Sequence, residues 1–191
     1  MNRREIWDER YRRGETSGKT PEPVLVSAVQ SEVAGRALDL ACCLGRSTLL
    51  LAERGWQVVA VDYSQAALRE LAARSAGLPV QIIEADLELG EFQITPNSFD
   101  LICDCLYLQR PLWPANKTGI RPGGLFVGVF PLFDPESAVP MSRAFLMDRG
   151  ELRELFDDWH IEHYSEDPPA ADGKRCRARI VARKPVSAEL A

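Results

Sequence analysis

From residue 36 onward, short apolar runs alternate with amphipathic stretches: RALDLACC, STLLLAERG, WQVVAVD, SQAALRELAARSAG and LPVQIIEAD follow in that order. A run such as VVAV, apolar at every position, fits a strand buried on both faces, as in a parallel sheet covered by helices. The segment Ser64 to Ala76 predicts a helix, with a capping serine, Ala67, Leu68 and Leu71 on one face, and Gly77 at its end. Further on, SFDLICDCL predicts a fourth strand, LWPANKTG a helix, and GGLFVGVF a fifth strand after the turn RPGG. PLFDPESAVPMSRAF carries breakers without a period and predicts a long loop able to cover a pocket. DRGELRELFDDW predicts a helix, and HIEHYSED and KRCRARIVARK predict two strands closing as an antiparallel hairpin across PPAADGK. Near the start, NRREIWDERYRR interleaves arginines with acids, which predicts a solvated helix with Trp7 and Tyr11 on one face.

At 191 residues and 46% hydrophobic, the chain is expected to form one domain, 1–191, with 1–35 as a helical cover and 36–191 as the α/β core. A net charge of -5 argues against general affinity for nucleic acid or an anionic membrane surface. No secretory signal pattern opens the chain, and no apolar run approaches the roughly 20 residues of a membrane span. Five cysteines, clustered as CC and CDC, do not resemble a secreted disulfide framework. The expectation is a cytoplasmic protein with reduced thiols.

In an open parallel sheet, ligands bind beyond the carboxyl ends of the strands. Here the first strand ends in Asp39, Ala41, Cys43 and Gly45, the second in Asp62, the third in Asp86 and the fourth in Asp104. Asp62 after VVAV suits a carboxylate that hydrogen-bonds ribose hydroxyls, although an aspartate there also serves as an ordinary helix cap. A dinucleotide dehydrogenase ranks lower, because ACCLGR has one glycine where the GxGxxG fingerprint needs three.

These residues resemble the class I S-adenosylmethionine-dependent methyltransferases, whose first motif is an acid followed by alternating small residues. Asp39, Ala41, Cys43 and Gly45 occupy those places; VDYS at 61–64 looks like the ribose-binding acid, and EADLE at 84–88 like the adenine-contacting segment. WDERYR, YLQRPLWPA, RPGGLFVG, FLMDRGELRELF and ARIVARKP are similar to a bacterial subgroup that includes tellurite-resistance-type and thiopurine-type enzymes. The resemblance implies a Rossmann-like sheet of order 3-2-1-4-5-7-6 with strand 7 antiparallel and helices on both faces. It also implies S-adenosylmethionine as cofactor, S-adenosylhomocysteine as product, and a small-molecule methyl acceptor. On this reading Asp39, Ala41, Cys43 and Gly45 hold the amino-acid part of the cofactor, Asp62 and Tyr63 the ribose, and Asp86 and Leu87 the adenine. Asp104 borders the cofactor and, with Tyr107 and Arg110, faces the acceptor.

Methyl transfer from a sulfonium is an in-line displacement, so positioning supplies most of the effect and no acid or base is obligatory. A thiolate or metalloid acceptor needs little help, whereas an alcohol or amine needs a base. His160 and His163, on a late strand, are expected to be half-buried structural residues, and Trp113 joins Arg110 as a candidate for the acceptor wall.

The order of the strands would bring Cys42 and Cys43 near Cys103 and Cys105. Adjacent CC is poor ligand geometry, because neighbouring strand side chains point to opposite faces, so these are expected to be core cysteines and no metal site is assigned. Cys43 departs from the family, which has glycine there; a positive φ at that position would strain any other residue. Two alternatives therefore stay open: a non-catalytic S-adenosylmethionine- or nucleoside-binding module, and a thiol-based metal or metalloid binder.

Overall fold

The computed structural model describes residues 3–14, 20–137, 141–169 and 175–186. Its seven strands form one sheet of order β3-β2-β1-β4-β5-β7-β6, as expected for a class I methyltransferase. The chain comprises two compact units, Met1–Gln93 and Ile94–Ala191.

In the first unit α1 (Arg3–Arg12) and α2 (Pro23–Ala28) precede β1 (Arg36–Leu40), α3 (Arg46–Glu53), β2 (Gln57–Asp62), α4 (Gln65–Arg74) and β3 (Val80–Glu84). β1 pairs parallel to β2, with Leu38 opposite Val59, and β2 pairs parallel to β3, with Val61 opposite Ile83. The apolar runs of β1 and β2 are buried almost throughout. α4 starts where its sequence says: Ser64 is the N-cap, and its hydroxyl accepts the N–H of Ala67. Its apolar face closes on Cys42, Leu49 and Ala60, with Leu78, Val80 and Ile82 at the margin. The short α2 was not anticipated; its proline opening and single turn give no periodic pattern to read.

In the second unit β4 (Phe99–Cys105), α5 (Trp113–Gly119), β5 (Ile120–Pro131), α6 (Glu151–Glu154), β6 (His160–Glu166) and β7 (Arg177–Arg183) follow. β4 pairs parallel to β5, while β7 runs antiparallel to both β5 and β6. The hairpin connection lies partly outside the described residues. RPGG is not a turn before β5 but an interruption within it: Phe99 faces Ile120 and Leu101 faces Leu125, so the partner strand advances two residues while β5 advances five. Gly123, at φ +81°, takes the left-handed conformation that this bulge needs. α6 is shorter than its segment predicted, covering Glu151–Glu154 before a series of turns. Asp157 and Asp158 place negative charge where the helix carbonyls would end, which disfavours extension.

The loop after β5 returns on itself. Met147 donates its N–H to Pro131 at 2.9 Å and accepts that of Phe133 at 2.7 Å, closing the base of the segment. Trp113 packs edge-on to Phe126, Phe130 and Phe156 and is buried. It is a core residue of this unit, which corrects its expected place on an acceptor wall.

Candidate functional site

The turn after β1 holds its shape through backbone conformation. Ala41, Cys43 and Gly45 have φ of +50°, +55° and +77°, so three alternate residues lie in the left-handed region and two of them carry side chains. Each non-glycine residue there costs about 1–2 kcal/mol. The turn is held from several sides. Cys42 accepts the N–H of Gly45 at 2.8 Å and donates its own to Val61 at 3.0 Å, and Arg74 at the end of α4 donates to the Leu44 carbonyl at 2.8 Å. Gly45 also admits no side chain, since a Cβ there would lie 2.2 Å from Cδ1 of the buried Leu71.

Asp39, buried at the end of β1, accepts the Thr48 hydroxyl at 2.6 Å, which ties the strand to the first turn of α3. Asp62, 4% exposed at the end of β2, accepts the main-chain N–H of Cys43 through one oxygen and that of Ser64 through the other, both at 2.9 Å. Burial pushes its pKa above the ordinary aspartate value, against the N–H groups of Ser64, Cys43 and Tyr63. Each carboxylate oxygen has two lone pairs, so both retain acceptor capacity. Asp86 lies just past β3, where its carboxylate accepts the N–H of Glu88 at 2.9 Å and of Leu89 at 3.3 Å; Leu87 beside it is buried. Tyr63 is half-buried, with the Arg4 guanidinium 5.9 Å from its ring centre. The first unit thus gathers a left-handed turn and strand-end carboxylates, the features a nucleoside cofactor uses. The residues present fit S-adenosylmethionine, with Cys43 as the one atypical member.

Cys43 adds a side chain where the backbone asks for none. Its thiol donates to the Ala41 carbonyl at 3.2 Å. Burial and the Asp62 carboxylate push the thiol up to about 12. Burial likewise holds the Tyr11 phenol well above its ordinary value. Cys42 points into the core with Leu68 and Leu71, as strand alternation predicts.

Three participants escaped the sequence reading. Asp8 accepts from the Ser64 hydroxyl and from the Ala66 N–H at 3.2 Å. Glu22 and Arg46, both largely buried, form an ion pair of 3.2 Å at the residue that follows Gly45. An i, i+4, i+7 series of Arg4, Asp8 and Tyr11 in α1 was the available signal for the first; nothing local announces the second.

In the second unit Asp104 is buried on β4, and the Tyr107 hydroxyl donates to Gln109. Arg110 makes a two-pronged bond to Glu151 at 2.7 and 2.8 Å and also donates to the carbonyls of Ala144 and Leu146 at 3.2 and 3.0 Å. Its guanidinium ties the segment around Ala144, Leu146 and Glu151 to the residues after β4. His160 and His163 are exposed rather than half-buried, because β6 is the edge strand of the sheet. Cys103, Cys105 and Cys176 are buried and form no disulfide. Among the described residues, no group of three or more His, Cys, Asp or Glu side chains could hold a metal ion, and no helix is long and apolar enough to cross a membrane.

Residues 37–120 match the family described as a methyltransferase domain. In fold the chain is similar to S-adenosylmethionine-dependent methyltransferases. Hemagglutinin 1 of Eikenella corrodens is 30% identical over 156 residues, 77% of this chain and 51% of that protein. The chain thus spans about half the length of the curated relative it matches. Among solved structures, TehB from Haemophilus influenzae superposes with a TM-score of 0.74 at 22% identity, over 93% of this chain and 66% of that one. The Burkholderia thailandensis 1,6-didemethyltoxoflavin-N1-methyltransferase, solved with bound 1,6-didemethyltoxoflavin and S-adenosylhomocysteine, superposes with a TM-score of 0.66 at 21% identity, over 95% of this chain and 87% of that one. At those identities the two structures speak for the methyltransferase fold.

Proposed function

We propose that the chain uses S-adenosylmethionine to methylate a small-molecule acceptor by in-line displacement. The observation that carries this reading is the left-handed turn at Ala41, Cys43 and Gly45 joined through the Cys43 N–H to the strand-end carboxylate of Asp62. Asp62 and Tyr63 would hold the ribose, Asp86 and Leu87 the adenine, and the turn after Asp39 the amino-acid portion. When bound, the cofactor supplies an electrophilic methyl group on a sulfonium. The chain's part is to orient and to exclude water. Asp104, Tyr107 and Arg110 are the acceptor-side residues of this reading, and Arg110 acts there by holding the covering loop through Glu151.

No proton transfer is required of these residues for a thiolate or metalloid acceptor. In this reading the whole chain works as one domain, residues 1–35 covering a core of 36–191, and its five free cysteines suit a reducing cytoplasm. The strained non-glycine residues at 41 and 43 favour one second reading, a module that binds the cofactor without turning it over. Calorimetry with S-adenosylmethionine and S-adenosylhomocysteine, followed by methyl transfer to thiols, metalloids, amines and phenols, tests both. Failure to bind either compound at millimolar concentration sinks the first proposal, and binding without transfer favours the second.

A further inference from the structure

Asp8 stands in the middle of α1, where aspartate is a weak helix former. Its carboxylate serves another helix. Oδ1 accepts the Ser64 hydroxyl at 2.5 Å and the Ala66 N–H at 3.2 Å, so an acid from α1 sits at the N-terminus of α4. The Asp8 side chain is 15% exposed and Ser64 is fully buried. Arg12, one turn on, reaches the same carboxylate only at 4.0 Å.

Ser64 passes this contact on. A serine hydroxyl has one proton and two lone pairs: the proton goes to Asp8, and a lone pair takes the Ala67 N–H at 3.3 Å. The main-chain N–H of Ser64 goes to Asp62 at 2.9 Å, and the second oxygen of Asp62 holds the Cys43 N–H at the same distance. A chain of hydrogen bonds thus runs from α1 through the α4 cap to the strand-end carboxylate and the turn after β1. Two acids flank one serine, and the positive end of the α4 dipole offsets their repulsion.

Arg4, one turn earlier on the same face as Asp8, donates to Glu84 at 2.9 Å, where Gln65 also donates at 3.2 Å. Its guanidinium lies 5.9 Å from the Tyr63 ring. Arg4 and Glu84 are each 37% exposed in their side chains, where an ion pair contributes little. Asp8, bonded twice and mostly out of water, is the stronger anchor.

We propose that Asp8 is a positioning residue for the nucleoside half of the cofactor. By fastening α1 to Ser64 it fixes the α4 cap and, through that cap, the carboxylate of Asp62. The role rests on the cofactor reading above, in which Asp62 and Tyr63 hold the ribose. Asp8 is given no part in the chemical step.

The test uses the full chain as wild type, Asp8→Ala, Asp8→Asn and Arg4→Gln. Native-state hydrogen exchange at the α1 amides should quicken about tenfold in Asp8→Ala, the size of a lost hydrogen bond to a charged group. Asp8→Asn, whose amide oxygen can still accept from both donors, should recover most of that loss, and Arg4→Gln should move exchange about twofold or less. Unchanged exchange in Asp8→Ala, or a loss in Arg4→Gln as large, overturns Asp8 as the anchor. Calorimetric titration of the same set uses S-adenosylhomocysteine and 5′-methylthioadenosine, which keeps the nucleoside and lacks the amino-acid portion. Asp8→Ala should weaken both by a common factor of about ten, with Asp8→Asn restoring both. A Kd that stays in place while α1 loosens, or a loss confined to S-adenosylhomocysteine, overturns the positioning role. No binding of either compound by the wild type removes the cofactor reading and the positioning role with it, while the exchange pattern still decides whether Asp8 fastens α1.

Discussion

The Asp62 carboxylate accepts the main-chain N–H of Cys43 at 2.9 Å, so the end of β2 holds the turn that follows β1. The other oxygen holds Ser64, the cap of α4. Asp62→Ala should therefore lower stability by about 2–4 kcal/mol, since it leaves two buried N–H groups without their acceptor. It should also remove S-adenosylhomocysteine binding at millimolar concentration. Denaturant unfolding and calorimetry check the two effects separately, and a variant that folds and binds like the wild type rules out both roles.

The strain at Ala41 predicts a gain. Its φ of +50° suits glycine better than alanine. Relief of about 1–2 kcal/mol, less the extra entropy that glycine lends the unfolded chain, leaves Ala41→Gly more stable by up to about 1 kcal/mol. Thermal melting should show a rise of a few degrees. A fall would mean that the Ala41 methyl contributes packing that outweighs the strain.

Arg110 and Glu151 predict a pH-dependent loop. Burial raises the Glu151 pKa, but the Arg110 bond and the Asp148 N–H outweigh it and hold the carboxyl below the ordinary glutamate range. A lowered carboxylate gives stability that is present above its unfolded pKa and is lost as pH falls through the folded one. The loop fastening should thus hold at neutral pH and release on acidification below roughly pH 4. Hydrogen exchange of residues 141–150 should quicken over that window in the wild type. Glu151→Gln should be loose already at neutral pH and flat below it, while Arg110→Ala should cost about 1–2 kcal/mol of stability.

The cysteines predict slow chemistry. With its thiol pushed up to about 12 by burial and by Asp62, Cys43 is almost wholly protonated at neutral pH. Iodoacetamide should label it about a thousandfold more slowly than an unstructured cysteine, because only the thiolate attacks. The rate should climb about tenfold per pH unit while the fold lasts. Mass-spectrometric labelling of the native protein reads this directly, and prompt labelling of Cys43 at pH 7 would contradict its placement beside the Asp62 carboxylate.

The sheet was legible because its strands are written as uninterrupted apolar runs, and because the acids and glycines fall at their ends. QVVAVD and SQAALRELAAR became β2 and α4 with little change of boundary. RPGG misled, since the signals that end a strand also form a bulge within one. α2 is too short to show a period. In the site, the turn could be placed from Asp39 and Gly45, but the bonds that fix it join residues far apart in the chain. Asp8 with Ser64 and Glu22 with Arg46 become neighbours only after folding. Trp113 read as a candidate for the acceptor wall for the same reason: the aromatic rings that bury it arrive from β5 and from Phe156, just past α6.

The turn at residues 41–45 separates a backbone shape from the residue type usually credited with it. Ala41 and Cys43 hold the left-handed conformation with side chains in place, kept there by Asp62, Arg74 and their own main-chain bonds. A signature spelled in glycines passes over such a chain, whereas one written in dihedral angles finds it.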